Sequence, residues 1–289
     1  MNSSNLDLLT GINLDDLVAS FGWQNSPLPS RLLRIFFHKH AQTFAQHVIE
    51  YDDKVGEAGI VEGGWNLTRR YDKDLRIIGA DRIPESAFLA LSNHPGMTDT
   101  VALFAALNCK DLRIIALDRP FLNALPHTTS HLFYVHDDPA KRMTLVRQVS
   151  AHLKKGGAIL TFPAGQIEPD PDVYPGAVES LKEWTDSVGV FVHMAPDAAI
   201  LPVLVRSVVA KKYAHHWLLG IKKTKDEREK LATALQLLGM VIFGEKPVTV
   251  TIQIGKPIYA RELGTTDTDT IHQAVLAEMK SLIENVPPT

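Results

Sequence analysis

The chain is 289 residues long, 45% hydrophobic and 22% charged, with a formal net charge of −3. That length accommodates one large domain or a domain with an appendage, and the apolar fraction supports a sizeable core. The near-balance of charge excludes the broad basic footprint of nucleic-acid binding, and the lone Cys109 excludes an intramolecular disulfide or a thiolate metal cluster.

A single cysteine fits a reducing cytoplasm. The start of the chain, Met1 to Asp7, has neither the basic residues nor the apolar core of a signal peptide. Residues 1–63 then carry a helical signature. From Pro29-Ser30 onward, Leu32, Leu33, Ile35, Phe36, Phe37, Ala41, Phe44, Ala45, Val48 and Ile49 recur at helical spacing. We expect an N-terminal helical element packed on the rest of the chain, residues 64–289. An interfacial or partner-binding role for it requires an exposed apolar face alongside Arg31, Arg34, His38 and Lys39. Gly63-Gly64 is expected to punctuate the chain.

From Leu75 to Gly79 onward, strand and helix patterns alternate. Strands are expected at Phe88 to Leu91, Leu112 to Ala116, Leu132 to Val135, Ala158 to Phe162, Ile200 to Val205 and Val248 to Ile254. Helices are expected at Thr98 to Leu107, Ala140 to Lys155, Gly176 to Ser187, Asp226 to Ile242 and Asp269 to Glu284. This alternation predicts an α/β fold with a largely parallel or mixed central sheet covered by helices. The longest stretch free of Asp, Glu, Lys and Arg, Pro120 to His136, has 17 residues and contains Pro126, His127 and His131. No membrane span is expected from it.

The stretch richest in chemistry is His94-Pro95-Gly96-Met97-Thr98-Asp99, between a buried-looking strand and a helix. In a continuous helix His94 and Asp99 stand roughly 140° apart, and in a continuous strand they face opposite ways. Only a bent connection brings them together, and Pro95-Gly96 supplies one. Asp99 then fixes the imidazole tautomer and leaves the other ring nitrogen as a general base. The same spacing also suits a hydrogen-bonded loop histidine beside a helix-capping aspartate. In an α/β sheet ligands gather at the carboxyl ends of strands, where His94, Phe162-Pro163 and Arg206 are all expected.

Three motifs resemble those of the glycerolipid acyltransferases that act on glycerol-3-phosphate and 1-acylglycerol-3-phosphate. Asn93-His94 with Asp99 matches the family's Asn-His-x4-Asp. Phe162-Pro163-Ala164-Gly165-Gln166-Ile167 echoes its Phe-Pro-Glu-Gly-Thr-Arg. Leu201-Pro202-Val203 echoes its proline between branched apolar residues. The resemblance covers residues 70–260 and implies a role in phospholipid biosynthesis, with His94 as base and Asp99 as its partner. It places Asn93, Gly96, Phe162, Pro163, Gly165, Gln166, Pro202 and Arg206 around the substrates, with backbone amides near Gly96 or Gly165 as oxyanion donors. It implies no resident cofactor, since a CoA or acyl-carrier thioester is the co-substrate and a lipid-like molecule the acceptor. Without a membrane span, such a chain is expected in the cytoplasm, approaching the membrane surface from outside.

The chain departs from the pattern at three places. Ala164 stands where the family has Glu, Gln166-Ile167 where it has Thr-Arg, and His136 where its second motif brings an Arg. Glu168 is either a carboxylate shifted from the Ala164 position or an exposed turn residue in the acidic run Glu168, Asp170, Asp172. Lys141 and Arg142 open a helix whose N-terminus suits an anion, although the Asp137-Asp138 pair before it favours a plain capped helix. From Arg206 to Lys230 there are eight Lys or Arg and three Asp or Glu around His215, His216 and Trp217, a composition suited to anionic headgroups, CoA or an acidic carrier. His215-His216 and His127-x3-His131 have no Cys or Glu at matched spacing, so no metal is expected. No Gly-x-Ser-x-Gly occurs, which argues against a covalent acyl-enzyme. The rival readings are a non-catalytic lipid- or acyl-carrier-binding protein of the same fold, and an acyltransferase for a phosphate-free acceptor.

Overall fold

The computed structural model describes residues 3–96, 98–136 and 138–286. Met97 and Asp137 lie outside the described residues. The chain opens with three helices, Ser3–Phe21 (α1), Pro27–Ala58 (α2) and Ile60–Tyr71 (α3), followed by the strands Asp74–Ile78 (β1) and Phe88–Ser92 (β2). Asp99–Leu107 (α4) and Leu112–Leu117 (β3) come next, then the short helices Pro120–Asn123 (α5) and Pro126–Thr129 (α6) and the strand Leu132–Val135 (β4). Pro139–Lys154 (α7), Ala158–Thr161 (β5), Ser187–Met194 (α8), Ala199–Arg206 (β6) and Lys211–Ala214 (α9) follow. Lys225–Phe243 (α10), Thr249–Ile254 (β7), Ala260–Leu263 (α11) and Thr268–Glu284 (α12) complete the chain.

The strands form one sheet in the order β1-β7-β6-β2-β5-β3-β4. Every neighbouring pair is parallel except β6 with β7, which is antiparallel. Every residue of β2 and β6 is buried, as a strand covered on both faces requires. On one face Phe88, Ala90, Leu160 and Leu201 pack with Tyr51 of α2, Ile60 and Leu67 of α3 and Phe104 of α4. On the other, Leu89, Leu91, Ile159 and Ile200 pack with Val149 of α7, Phe191 of α8 and Met279 of α12. The α/β architecture with a mixed, mostly parallel sheet and an N-terminal helical region therefore agrees with the sequence pattern.

Helix ends follow local chemistry. Asp138 accepts from the Ala140 N–H at 2.8 Å with Pro139 in the first turn of α7. Thr224 and Glu227 form a capping box at the start of α10, and Gly244 ends it with a φ of 65°.

Two expectations are corrected. Gly63-Gly64 does not punctuate the chain but lies inside α3. A Cβ on Gly63 would meet Val55 at 2.4 Å and one on Gly64 the Val101 carbonyl at 2.6 Å, so these glycines let α3 approach α2 and α4 closely. The helix expected at residues 176–187 is instead a 3-10 turn, Glu179–Glu183, followed after a break by α8. The Thr185 N–H donates to the Pro163 carbonyl at 3.1 Å, pinning the chain to the loop after β5 where a continuous helix would run.

Candidate active site

Parallel β2, β5 and β6 end at the same edge of the sheet, and the loops leaving them build the site. After Ser92, Gly96 takes a φ of +96°, a conformation natural to glycine, and the chain turns back into α4. The turn brings His94 Nδ1 to 2.8 Å from Asp99 Oδ2. The same oxygen accepts the Gly96 N–H at 2.7 Å, and Oδ1 accepts from the Thr100 hydroxyl at 2.9 Å. Asp99 is fully buried, whereas the His94 side chain is 29% exposed.

A carboxylate only accepts, so Nδ1 carries the proton and Nε2 is left with its lone pair. The ring stacks on Phe162, with centroids 4.5 Å apart and planes 27° from parallel. Burial pushes the imidazole pKa down, but the charge and hydrogen bond of Asp99, with the charge of Glu168, outweigh it, so the net shift is upward. Behind the turn, Thr98 donates to buried Asp72 at 3.0 Å. Burial raises the Asp72 carboxyl to about 7 against that bond and the charge of Lys246.

The other expected site residues divide into two groups. Gly96, Phe162, Pro163, Gly165 and Gln166 lie on the two loops beside His94, with Gln166 exposed and Pro163 buried. Asn93 is buried and bridges strands: its Nδ2 donates to the Val205 carbonyl at 2.9 Å and its Oδ1 accepts the Val205 N–H at 2.8 Å. Pro202 is buried inside β6, and its carbonyl accepts the Gly255 N–H at 2.8 Å. There the β6–β7 register slips by one residue, from Val203 opposite Ile254 to Ile200 opposite Ile258, a bulge of the kind that tolerates proline's missing donor.

Arg206 does not open to the cleft. Its guanidinium is 2% exposed, donates to the Leu282 and Ile283 carbonyls at 3.2 and 3.1 Å, and lies 3.5 Å from Asp172. The amides expected as oxyanion donors are engaged within their own turns, Gly96 with Asp99 and Gly165 with the Phe162 carbonyl at 3.0 Å. In the segment from Arg206 to Lys230, Lys211, Lys212, Lys223, Lys225, Arg228 and Lys230 are exposed. Lys222 is buried, Lys212 pairs with Glu245 and Lys225 with Glu229, while Trp217 stands 78% exposed. His136 and Lys141 line a groove of about 590 Å³ between β4 and α7 in which His94 takes no part.

Sequence reasoning missed what the acidic run does. Glu168 is buried and accepts from the His94 N–H at 3.1 Å, the Trp184 indole at 2.8 Å and the Ser180 hydroxyl at 3.1 Å. Burial pushes its pKa up to about 7 despite those bonds. Asp170 accepts the N–H groups of Ser207, Val208 and Val209 at 2.7 to 3.0 Å, and Asp172 accepts from the Ser207 hydroxyl. The signal was Pro169 and Pro171 between the three carboxylates, which hold the segment extended and supply no donors of their own. Ile167 is 50% exposed, and its Cδ1 lies 3.5 Å from where a Cβ on Gly96 would sit.

Residues 74–206 match the model of the family described as Acyltransferase. No curated protein matches the sequence. Among solved structures, the chain is similar to the 1-acyl-sn-glycerophosphate (LPA) acyltransferase PlsC from Thermotoga maritima, at 14% identity and a TM-score of 0.45, over 99% of this chain and 95% of that one. The family match begins with β1 and ends with the last residue of β6, so it encloses the loops that bear His94, Asp99 and Phe162. Over this stretch, a little under half of its length, the chain is similar to the acyltransferase family.

Proposed function

We propose that the protein moves a fatty acyl group from a CoA or acyl-carrier thioester to a hydroxyl of a glycerolipid-like acceptor, with His94 as general base. The observation that carries this reading is the His94–Asp99 pair, 2.8 Å apart with Nε2 unoccupied by Asp99 and the ring partly exposed. Nε2 takes the hydroxyl proton as the acceptor oxygen attacks the thioester carbonyl, and buried Asp99 balances the imidazolium that forms. Collapse of the tetrahedral intermediate breaks the C–S bond, and the imidazolium returns its proton to the departing thiolate. No resident cofactor enters these steps.

The test compares the purified chain with His94→Ala, using long-chain acyl-CoA and acyl-carrier donors with 1-acylglycerol-3-phosphate as acceptor. Loss of the base is expected to lower kcat by roughly 10²- to 10⁴-fold. Equal turnover by the two removes the mechanism and favours the non-catalytic lipid- or carrier-binding reading.

A phosphate-free acceptor is the second reading, supported by exposed Ile167 beside the His94 turn where the resemblance led us to expect a guanidinium. Faster turnover of an uncharged monoacylglycerol than of its phosphate in the same assay selects it.

Membrane contact at α2 completes the proposal. Leu28, Leu32, Ile35 and Phe36, at i, i+4, i+7 and i+8, are 54 to 74% exposed, and Arg31, His38 and Lys39 beside them are exposed as well. An apolar stripe flanked by the cations Arg31 and Lys39 suits the headgroup boundary of an anionic bilayer. Among the described residues, no helix is long and apolar enough to cross a membrane.

A further inference from the structure

We infer that Glu168 is a positioning residue for His94: its carboxylate, held from behind by Trp184 and Ser180, fixes the backbone from which the imidazole is aimed. The inference rests on the reading of His94 as the base. Two bonds clasp residues 74 positions apart, the His94 N–H on Glu168 Oε2 at 3.1 Å and the Glu168 N–H on the His94 carbonyl at 2.8 Å. They tie the loop after β2 to the loop after β5. Glu168 Oε1 accepts from the Trp184 indole and the Ser180 hydroxyl, so the side chain is anchored at both ends and only 3% exposed.

Asp99 and Phe162 hold the ring itself, one at Nδ1 and one against its face. Neither holds the His94 main chain, and Glu168 does. The choice of residue type follows from the donors. N–H groups approach both carboxylate oxygens, and only a group that accepts at both ends satisfies them. An amide in the same shape sets its NH₂ against either the His94 N–H or the Trp184 indole N–H. A buried carboxylate is costly unless fully hydrogen-bonded, and this one is bonded on both oxygens.

The experiment uses the full chain and its Glu168→Gln form, with long-chain acyl-CoA and 1-acylglycerol-3-phosphate. A shift of about 1 Å in a reacting group lowers the rate by roughly 10²-fold. Because Glu168 does not face substrate, the expected result is a roughly 10- to 100-fold lower kcat, with KM within about twofold. Adding Glu168→Gln to His94→Ala is expected to change nothing further, since the effect passes through His94. Exchange of the His94 amide hydrogen, measured by NMR, is expected to quicken in Glu168→Gln. Adding Trp184→Phe, which removes the opposed donor, is expected to restore most of the rate.

Where Glu168→Gln does not fold, Glu168→Asp is read with the same expectations for kcat, KM and amide exchange. It keeps the charge but is one methylene too short to reach both neighbours. Wild-type kcat in the variant, a loss confined to KM, an equal loss in the His94→Ala background, or unchanged amide exchange each overturns the inference. Absence of thioester turnover by the unaltered chain defeats the proposed function instead, and the amide exchange then decides on the clasp alone.

Discussion

Replacing Asp99 with Asn separates the two tasks of its carboxylate, orienting the imidazole and balancing its charge. Asp99 Oδ2 accepts from both His94 Nδ1, at 2.8 Å, and the Gly96 N–H, at 2.7 Å. The Gly96 donor belongs to the backbone and cannot reverse, so the asparagine must place its oxygen there. Its NH₂ then takes the position of Oδ1, where the Thr100 hydroxyl can rotate to accept. The tautomer is preserved and only the charge is lost. A hydrogen bond to a charged group contributes about 1.5 to 3 kcal/mol and a neutral one about 0.5 to 1.5, so the difference is about 1 to 2 kcal/mol. At 1.36 kcal/mol per decade this is roughly a 5- to 30-fold fall in kcat. Asp99 also raises the His94 pKa, and the base works when neutral, so the acid limb of the kcat profile is expected to move to lower pH. Thiol release from acyl-CoA, followed spectrophotometrically across about pH 5 to 9, measures both. A loss near the roughly 10⁴-fold that a reversed tautomer produces, no loss at all, or an acid limb displaced upward refutes the argument from Gly96.

Asn93→Ala removes two bonds across β2 and β6 and orphans the Val205 N–H and carbonyl. It is expected to lower stability by about 2 to 5 kcal/mol in denaturant titration, and a folded variant altered only in KM contradicts that role. For Asp72, whose pKa is raised on folding to about 7, the unfolded chain holds fewer protons in the window from about pH 4 to pH 7. Stability therefore falls as pH rises through that window. Asp72→Asn is expected to flatten this dependence in urea midpoints measured at about pH 5 and 8, and a steeper dependence tells against it. On α2, Leu32→Glu with Phe36→Glu removes two large apolar side chains from the proposed bilayer contact. At about 1.5 to 3 kcal/mol each, the pair is expected to weaken sedimentation with phosphatidylglycerol vesicles by roughly 100-fold or more while thermal unfolding is unchanged. Undiminished vesicle binding removes α2 from the membrane.

The centre of the sheet was legible because β2 and β6 are buried on both faces. Uninterrupted apolar runs such as Phe88 to Leu91 and Ile200 to Val205 leave little alternative once helical patterns surround them. The His94–Asp99 turn was legible through Pro95-Gly96, the break that lets residues five apart meet. What stayed hidden depended on distant partners. Gly63-Gly64 looks like a break in one dimension and becomes a close helix contact only when Val55 and Val101 arrive. The stretch 176–187 has helical composition, yet Ser180 and Trp184 are claimed by Glu168 and Thr185 by Pro163. Arg206 follows its strand as expected, but the end of α12 covers it. Nothing near position 206 in the sequence signals that cover.

Strand β1 has one neighbour in the sheet, β7, paired in register from Asp74 with Thr249 to Ile78 with Gln253. During synthesis β1 leaves the ribosome long before the residues it pairs with, so its backbone waits unpaired while the segments bearing His94, Glu168 and Arg206 are made. Completing the sheet at that end is therefore a late event governed by the last third of the chain. A nascent chain halted before residue 249 already holds His94, Asp99 and Glu168 but leaves β1 as an open edge for chaperones or aggregation.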